Sequence, residues 1–292
     1  MGNLNCKSNS AVIKTGDSNN NTSNINIQET TIPSSIKDDK FAIPIKIYKP
    51  NKNKPIRAAV FFIHGGIFSS GDCHSHPTIA EGLANLGLVV VTASFRNGKE
   101  APHQTNITNN DLNDVIDYTR NRWKNVSFGL VGSSSGGFFA LTLSQTRGPS
   151  IVSFCIPICP VADPFKRASY LRSSISGSAV SDGYKTSHTS TDSKRILEKQ
   201  LSFWKDDDSM LQAGGSLSSP KHDDIPTLMI IGSQDKNVPF SVTADVQSWA
   251  TRTIVIGGKG HELCDEVVKG GGYHCYLGDI DRFIDYSLSL KK

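Results

Sequence analysis

Apolar residues fall in short runs separated by polar or glycine-containing stretches, and residues 42–48, 58–63, 89–94, 128–131, 152–158, 227–231 and 253–256 each read as a strand. Ala58-Ala59-Val60-Phe61-Phe62-Ile63 is apolar at every position, the pattern of a strand covered on both faces. Between the runs the period changes. Leu112, Val115, Ile116, Thr119 and Trp123 recur at helical spacing, as do Leu277, Ile280, Phe283, Ile284 and Leu288 near the end of the chain. This alternation predicts an α/β domain with a mostly parallel central sheet and helices on both faces. Sheets of that kind bind ligands at the carboxyl ends of their strands, so chemistry is expected in the loops that follow them.

Two segments depart from the alternation. Residues 1–36 are rich in Asn, Ser and Thr without apolar periodicity and are expected to be a disordered tail, leaving 37–292 as one domain. Residues 164–222 form a long polar insertion with one helical stretch around Leu197, Leu201 and Trp204. A structureless loop of that length is improbable in a compact domain, so the insertion is expected to carry short helices and to cap the substrate site.

The loops after three strands hold the residues of nucleophilic catalysis. Gly132-Ser133-Ser134-Ser135-Gly136 follows the run ending at Val131 and precedes the apolar helix that begins near Phe138. A serine between small residues at a strand-to-helix turn is presented as a nucleophile, and Ser134 is the candidate; its alternative role is that of an ordinary helix cap. A serine hydroxyl needs a base to take its proton and a carboxylate to orient that base. Asp235 lies just past the run 227–231, and His261 lies in the glycine loop that follows 253–256. Asp223 and Asp224 are rivals for the acid, and His274 for the base. A third loop, His64-Gly65-Gly66-Ile67, follows 58–63 and supplies backbone N–H donors; Gly65, Gly66 and Ile67, together with Ser135, are the candidates for stabilising an oxyanion. His64 is expected to hold that loop by hydrogen bonds.

The order Ser134, Asp235, His261 and the His-Gly-Gly loop resemble the α/β-hydrolase superfamily, esterase/lipase branch, with its hormone-sensitive-lipase-like and feruloyl-esterase-like carboxylesterases. Ser94-Phe95-Arg96 with Ala101-Pro102, Cys159-Pro160-Val161-Ala162-Asp163-Pro164, and Ser219-Pro220 are similar to further motifs of that branch. The resemblance implies an α/β-hydrolase fold with a cap insertion. It also implies a serine hydrolase that cleaves small-molecule carboxylic esters without a cofactor. Ile67 stands where the branch carries a third glycine, and its β-branched side chain is expected to narrow the acyl pocket. Thioesters, amides and a non-catalytic receptor or scaffold role remain the alternatives.

The net charge of +4 has no arginine-rich run or stacking pattern with it, so nucleic acid is not an expected partner. The histidines show no metal-ligand spacing. Six cysteines without framework spacing are expected to be reduced thiols. No apolar stretch approaches the ~20 residues of a membrane span and no signal peptide opens the chain, so a cytoplasmic location is expected. Gly2 after Met1 and the nearby Cys6 are candidates for a myristoyl and a palmitoyl chain, which together would anchor the tail to a cytosolic membrane face.

Overall fold

The computed structural model describes residues 25–177, 190–264 and 275–290. Among these residues the chain builds an eight-stranded sheet from β1 (Asn26–Pro33), β2 (Ala42–Lys49), β3 (Ala58–Ile63), β4 (Leu88–Ala93), β5 (Ser127–Ser133), β6 (Phe154–Ile158), β7 (Leu228–Gly232) and β8 (Arg252–Ile256). The strands lie in the order β1-β2-β4-β3-β5-β6-β7-β8. The β1–β2 and β2–β4 pairs are antiparallel and the rest are parallel.

The side-chain alternation of the central strands divides the core into two layers. Ala59, Phe61 and Ile63 of β3 join Val89 and Val91 of β4 on one face, packed against Leu112, Val115 and Ile116 of α2 (Thr105–Arg122) and Phe139 of α3 (Ser135–Arg147). Ala58, Val60 and Phe62 join Leu88 and Val90 on the other. There they meet Ile79 and Leu83 of α1 (Pro77–Asn85) and Ile280 and Ile284 of α8 (Leu277–Ser289). Both faces are covered, which is why the β3 run is apolar throughout. No helix among the described residues is long and apolar enough to cross a membrane.

All seven expected strands are present, with ends shifted by two residues or fewer. The eighth corrects the expected tail boundary: residues 26–36, assigned to a disordered segment, contain β1, paired with β2 from Asn26↔Lys49 to Pro33↔Ala42. Of its side chains only Ile32 is buried. An edge strand held by main-chain hydrogen bonds leaves no apolar alternation to read. Gly2 and Cys6 lie outside the described residues.

The insertion 164–222 carries α4 (Pro164–Ser176), α5 (Ser190–Phe203) and α6 (Asp207–Gly215). Ala168, Leu171, Ile196, Leu197, Phe203, Trp204 and Met210 pack it onto the sheet face that holds α2 and α3. It is followed, between β7 and β8, by α7 (Phe240–Trp249).

Candidate active site

Ser134 sits between the last residue of β5 and the first of α3 with φ 55° and ψ −119°. A non-glycine residue there is strained by on the order of 1–3 kcal/mol, and surrounding bonds must hold it. Its N–H donates to Ile158 O at 2.9 Å, and its carbonyl accepts from Gly137 N at 3.0 Å, Phe138 N at 3.3 Å and Val161 N at 3.0 Å. The flanking glycines are sterically obligatory. A Cβ on Gly132 would lie 2.2 Å from Gly136 O, and one on Gly136 would lie 2.1 Å from Ile63 O. Helix and sheet approach so closely only because neither position has a side chain.

The Ser134 hydroxyl lies 2.9 Å from Nε2 of His261, whose Nδ1 lies 2.8 Å from Oδ2 of Asp235. Asp235 Oδ1 accepts from the N–H groups of Asn237 at 2.9 Å and Val238 at 2.8 Å. Burial on its own raises an aspartate, but His261 and these two donors outweigh it and hold the Asp235 carboxyl below its ordinary value. A carboxylate that accepts from Nδ1 fixes the imidazole tautomer with its proton there, leaving the Nε2 lone pair for the serine hydroxyl. The loops carrying acid and base are stitched together. Gln234 N donates to Lys259 O at 2.8 Å, Gly258 N donates to Ser233 Oγ at 2.8 Å, and a Cβ on Gly232 would lie 2.4 Å from Lys259 O. His261 begins a single 3₁₀ turn, His261–Cys264.

Arg167 of α4 is fully buried under this corner. It donates from Nε to Asn237 O at 3.2 Å, from Nη2 to Asn237 Oδ1, and from Nη1 to Gln200 Oε1 of α5 at 2.9 Å. Burial pushes the guanidinium down to about 10, and the Asp235 charge opposes that shift. It remains a cation at neutral pH, so the insertion helices are tied to the acid loop through one buried charge. Of the rival acids, Asp223 and Asp224 are both exposed, Asp224 lies 3.9 Å from Nδ1 of His222, and neither is bonded to His261. His274 lies outside the described residues.

The loop after β3 passes beside Ser134 in a run of left-handed residues, with φ 128° at Gly66, 61° at Ile67 and 63° at Phe68. A Cβ on Gly66 would lie 1.9 Å from Ser70 O. The N–H of Gly65 donates to Ser133 Oγ at 3.1 Å and is therefore engaged within the protein. Those of Gly66, Ile67 and Ser135 have no protein acceptor among the described residues. His64 is buried, stacks on Phe95 with ring centroids 4.3 Å apart, and donates from Nδ1 to Gly65 O at 2.6 Å. Burial pushes its imidazole down to about 4, which keeps it neutral and structural.

Phe68 anchors the far end of this loop in an aromatic cluster. Its ring lies 5.6 Å from Phe138 and from Phe139, 5.4 Å from Phe203 and 5.5 Å from Trp204. Phe138, Phe139, Phe203 and Trp204 also wall a cavity of about 660 Å³ that continues along α3 past Thr142 to Gln212 of α6; Ser134 is not among its lining residues.

The sequence profile of the BD-FAE family matches residues 45–250, more than two thirds of the chain. The chain belongs to the BD-FAE family. Similar solved structures include an esterase from Pyrobaculum calidifontis, 18% identical with TM-score 0.65, covering 91% of this chain and 85% of that one. Carboxyl esterase 2 from the mycorrhizal fungus Tuber melanosporum is 15% identical with TM-score 0.65 over 91% and 88%. Est1E from Butyrivibrio proteoclasticus is 16% identical with TM-score 0.54 over 87% and 97%. At these identities the likeness shows a shared α/β-hydrolase fold. No curated protein sequence matches the chain significantly.

In this BD-FAE chain the structure brings Ser134, Asp235, His261 and the Gly65–Gly66–Ile67 loop into one corner at the carboxyl ends of β3, β5, β7 and β8. Sequence reasoning missed Ser133, Asn237, Gln200 and Arg167. Ser133 carries no signal beyond adjacency to Ser134, and the Arg167–Asn237 contact spans 70 residues across the insertion.

Proposed function

We propose that this protein is a serine hydrolase of carboxylic esters that works through an acyl-enzyme. The observation that carries the reading is the His261 imidazole, bonded on one side to Ser134 Oγ and on the other to Asp235. Ser134 Oγ attacks the ester carbonyl while Nε2 takes its proton, and the tetrahedral oxyanion accepts from the N–H groups of Ser135 and of Gly66 or Ile67. Nε2 then protonates the departing alkoxide as the carbonyl re-forms. Water, deprotonated by the same nitrogen, attacks the acyl-serine, and Ser134 leaves with its proton restored. Asp235 stays ionised throughout and stabilises the imidazolium that forms in each half. The BD-FAE match and the esterases among the structural neighbours support an ester as substrate.

The test is labelling with a fluorophosphonate followed by peptide mapping. The reading expects a single adduct on Ser134, lost in Ser134→Ala, and hydrolysis of p-nitrophenyl acetate that disappears with it. Modification elsewhere, or none, would favour a protein that uses this fold only for binding.

A further inference from the structure

A third ligating atom lies behind the acid–base pair. Cys159 follows the last residue of β6, and its Sγ, a carboxylate oxygen of Asp235 and a ring nitrogen of His261 lie within 4.8 Å of one another. Cys159 and Asp235 are buried. The Cys159 N–H donates to Ile230 O at 2.7 Å, which fixes the residue against β7, and its φ of 44° falls in the region that favours glycine. A side chain is held here against backbone strain, and strained positions of that kind cluster at functional sites.

Thiolate, carboxylate and imidazole are the donors that tetrahedral, thiophilic divalent cations take. With a neutral imidazole the set carries two negative charges, which balance a dication in a buried site. Metal–ligand bonds of about 2.0–2.3 Å place ligands on the order of 3.5 Å apart, so atoms as far as 4.8 Å apart must close by about an ångström while Asp235 Oδ2 and His261 Nδ1, at 2.8 Å, open by less than that.

We propose that Cys159, Asp235 and His261 bind a thiophilic divalent cation such as Zn²⁺ or Cd²⁺, and that its binding switches hydrolysis off. The cation releases the thiol proton to solvent and, where it takes Nδ1, displaces the hydrogen bond between Asp235 and His261. If it takes Nδ1, the imidazole proton moves to Nε2, which then has no lone pair for the Ser134 hydroxyl. If it takes Nε2, that lone pair is consumed directly. The inhibition rests on the hydrolase reading, whereas the binding does not.

The experiment titrates the full chain with CdCl₂ in a chelator-free buffer and follows the ultraviolet thiolate-to-cadmium charge-transfer band. The band is expected in the wild type and in Cys275→Ala, and is lost in Cys159→Ala and in Cys159→Gly, the second of which also suits the left-handed backbone. In parallel, ZnCl₂ slows fluorophosphonate labelling of Ser134 in the wild type. The Cys159 variants need at least roughly 10–100-fold more Zn²⁺, since loss of even an outer-shell partner costs that much. A band that survives removal of Cys159, or inhibition equal in wild type and variants, overturns the site. Absence of Ser134 labelling without metal would instead overturn the hydrolase reading, and the cadmium band still decides the binding.

Discussion

The hydroxyl of Ser133 accepts the N–H of Gly65 at 3.1 Å, so the residue before the proposed nucleophile holds the loop proposed to supply oxyanion donors. Gly65 lies so close that a Cβ on it would come within 3.0 Å of Ser134 Cβ. The bond ties the loop that carries Gly66 and Ile67 to the strand end beside Ser134. Ser133→Ala removes one neutral hydrogen bond, worth about 1 kcal/mol, and leaves the triad in place. kcat is expected to fall roughly fivefold with KM little changed, because the loop donates most strongly to the charge that develops in the transition state. Steady-state hydrolysis of p-nitrophenyl acetate measures the split; a change confined to KM would place the loop in ground-state binding.

Asp235 accepts two backbone N–H bonds as well as the imidazole, and this decides what its replacement does. Asparagine can keep an oxygen toward Asn237 and Val238 but presents N–H₂ to His261, which favours the wrong tautomer. Asp235→Asn is expected to lower kcat on the order of 10⁴-fold at neutral pH while the protein stays folded. Asp223→Asn and Asp224→Asn serve as controls with near wild-type turnover. Activity lost in either control instead of in Asp235→Asn would move the acid.

Much of this site was legible in the sequence because its parts are local. Gly132, Ser134 and Gly136 declare a tight strand-to-helix turn, and Asp235 and His261 each follow an apolar run by a few residues. The chain order of the three carries the rest. What escaped is non-local or unpatterned. β1 is held by its main chain and buries only Ile32. α1 opens at His76, a left-handed residue whose side chain does not cap it, followed by Pro77, a start without the usual polar signal. Arg167 reads as a surface residue of a polar insertion, and only the folded chain shows its guanidinium buried against Asn237. That the Gly65 N–H is engaged also follows from a contact between distant segments, not from the glycine pattern.

His64 couples stability to pH. Its imidazole titrates near 6.5 in the unfolded chain, and burial pushes it down to about 4 in the fold. Above about pH 6.5 both states are neutral and the stability is fully present. As the pH falls from 6.5 toward 4 the unfolded chain takes up a proton that the folded chain refuses, so stability declines; below about 4 both are protonated and this contribution levels off. The shift amounts to about 3 kcal/mol across the window. Urea denaturation of wild type and His64→Asn at pH 7, 5.5 and 4.5 isolates it. The variant starts less stable at pH 7, having lost the Phe95 stack and the bond to Gly65 O, and the gap narrows as the pH falls. Parallel curves would show that His64 is protonated in the fold.

The aromatic cluster is expected to govern how long an acyl chain the site accepts. Phe68 continues the loop after β3, Phe138 lies one turn beyond Ser134, and Trp204 packs on both rings and, with Phe138, walls the 660 Å³ cavity. If the β-branched Ile67 narrows the near end, as expected, the wild type prefers p-nitrophenyl acetate over the octanoate. Trp204→Leu and Trp204→Ala thin the wall between the loop and the cavity. An acyl tail that buries two more methylenes there gains about 0.8 kcal/mol for each, so the octanoate-to-acetate ratio of kcat/KM is expected to rise on the order of tenfold. The alanine variant loses a buried indole and several kcal/mol of stability, so the leucine variant guards against a result that reports only loosened packing. If both fold and both keep the wild-type ratio, the cavity is a compartment that the acyl chain never enters.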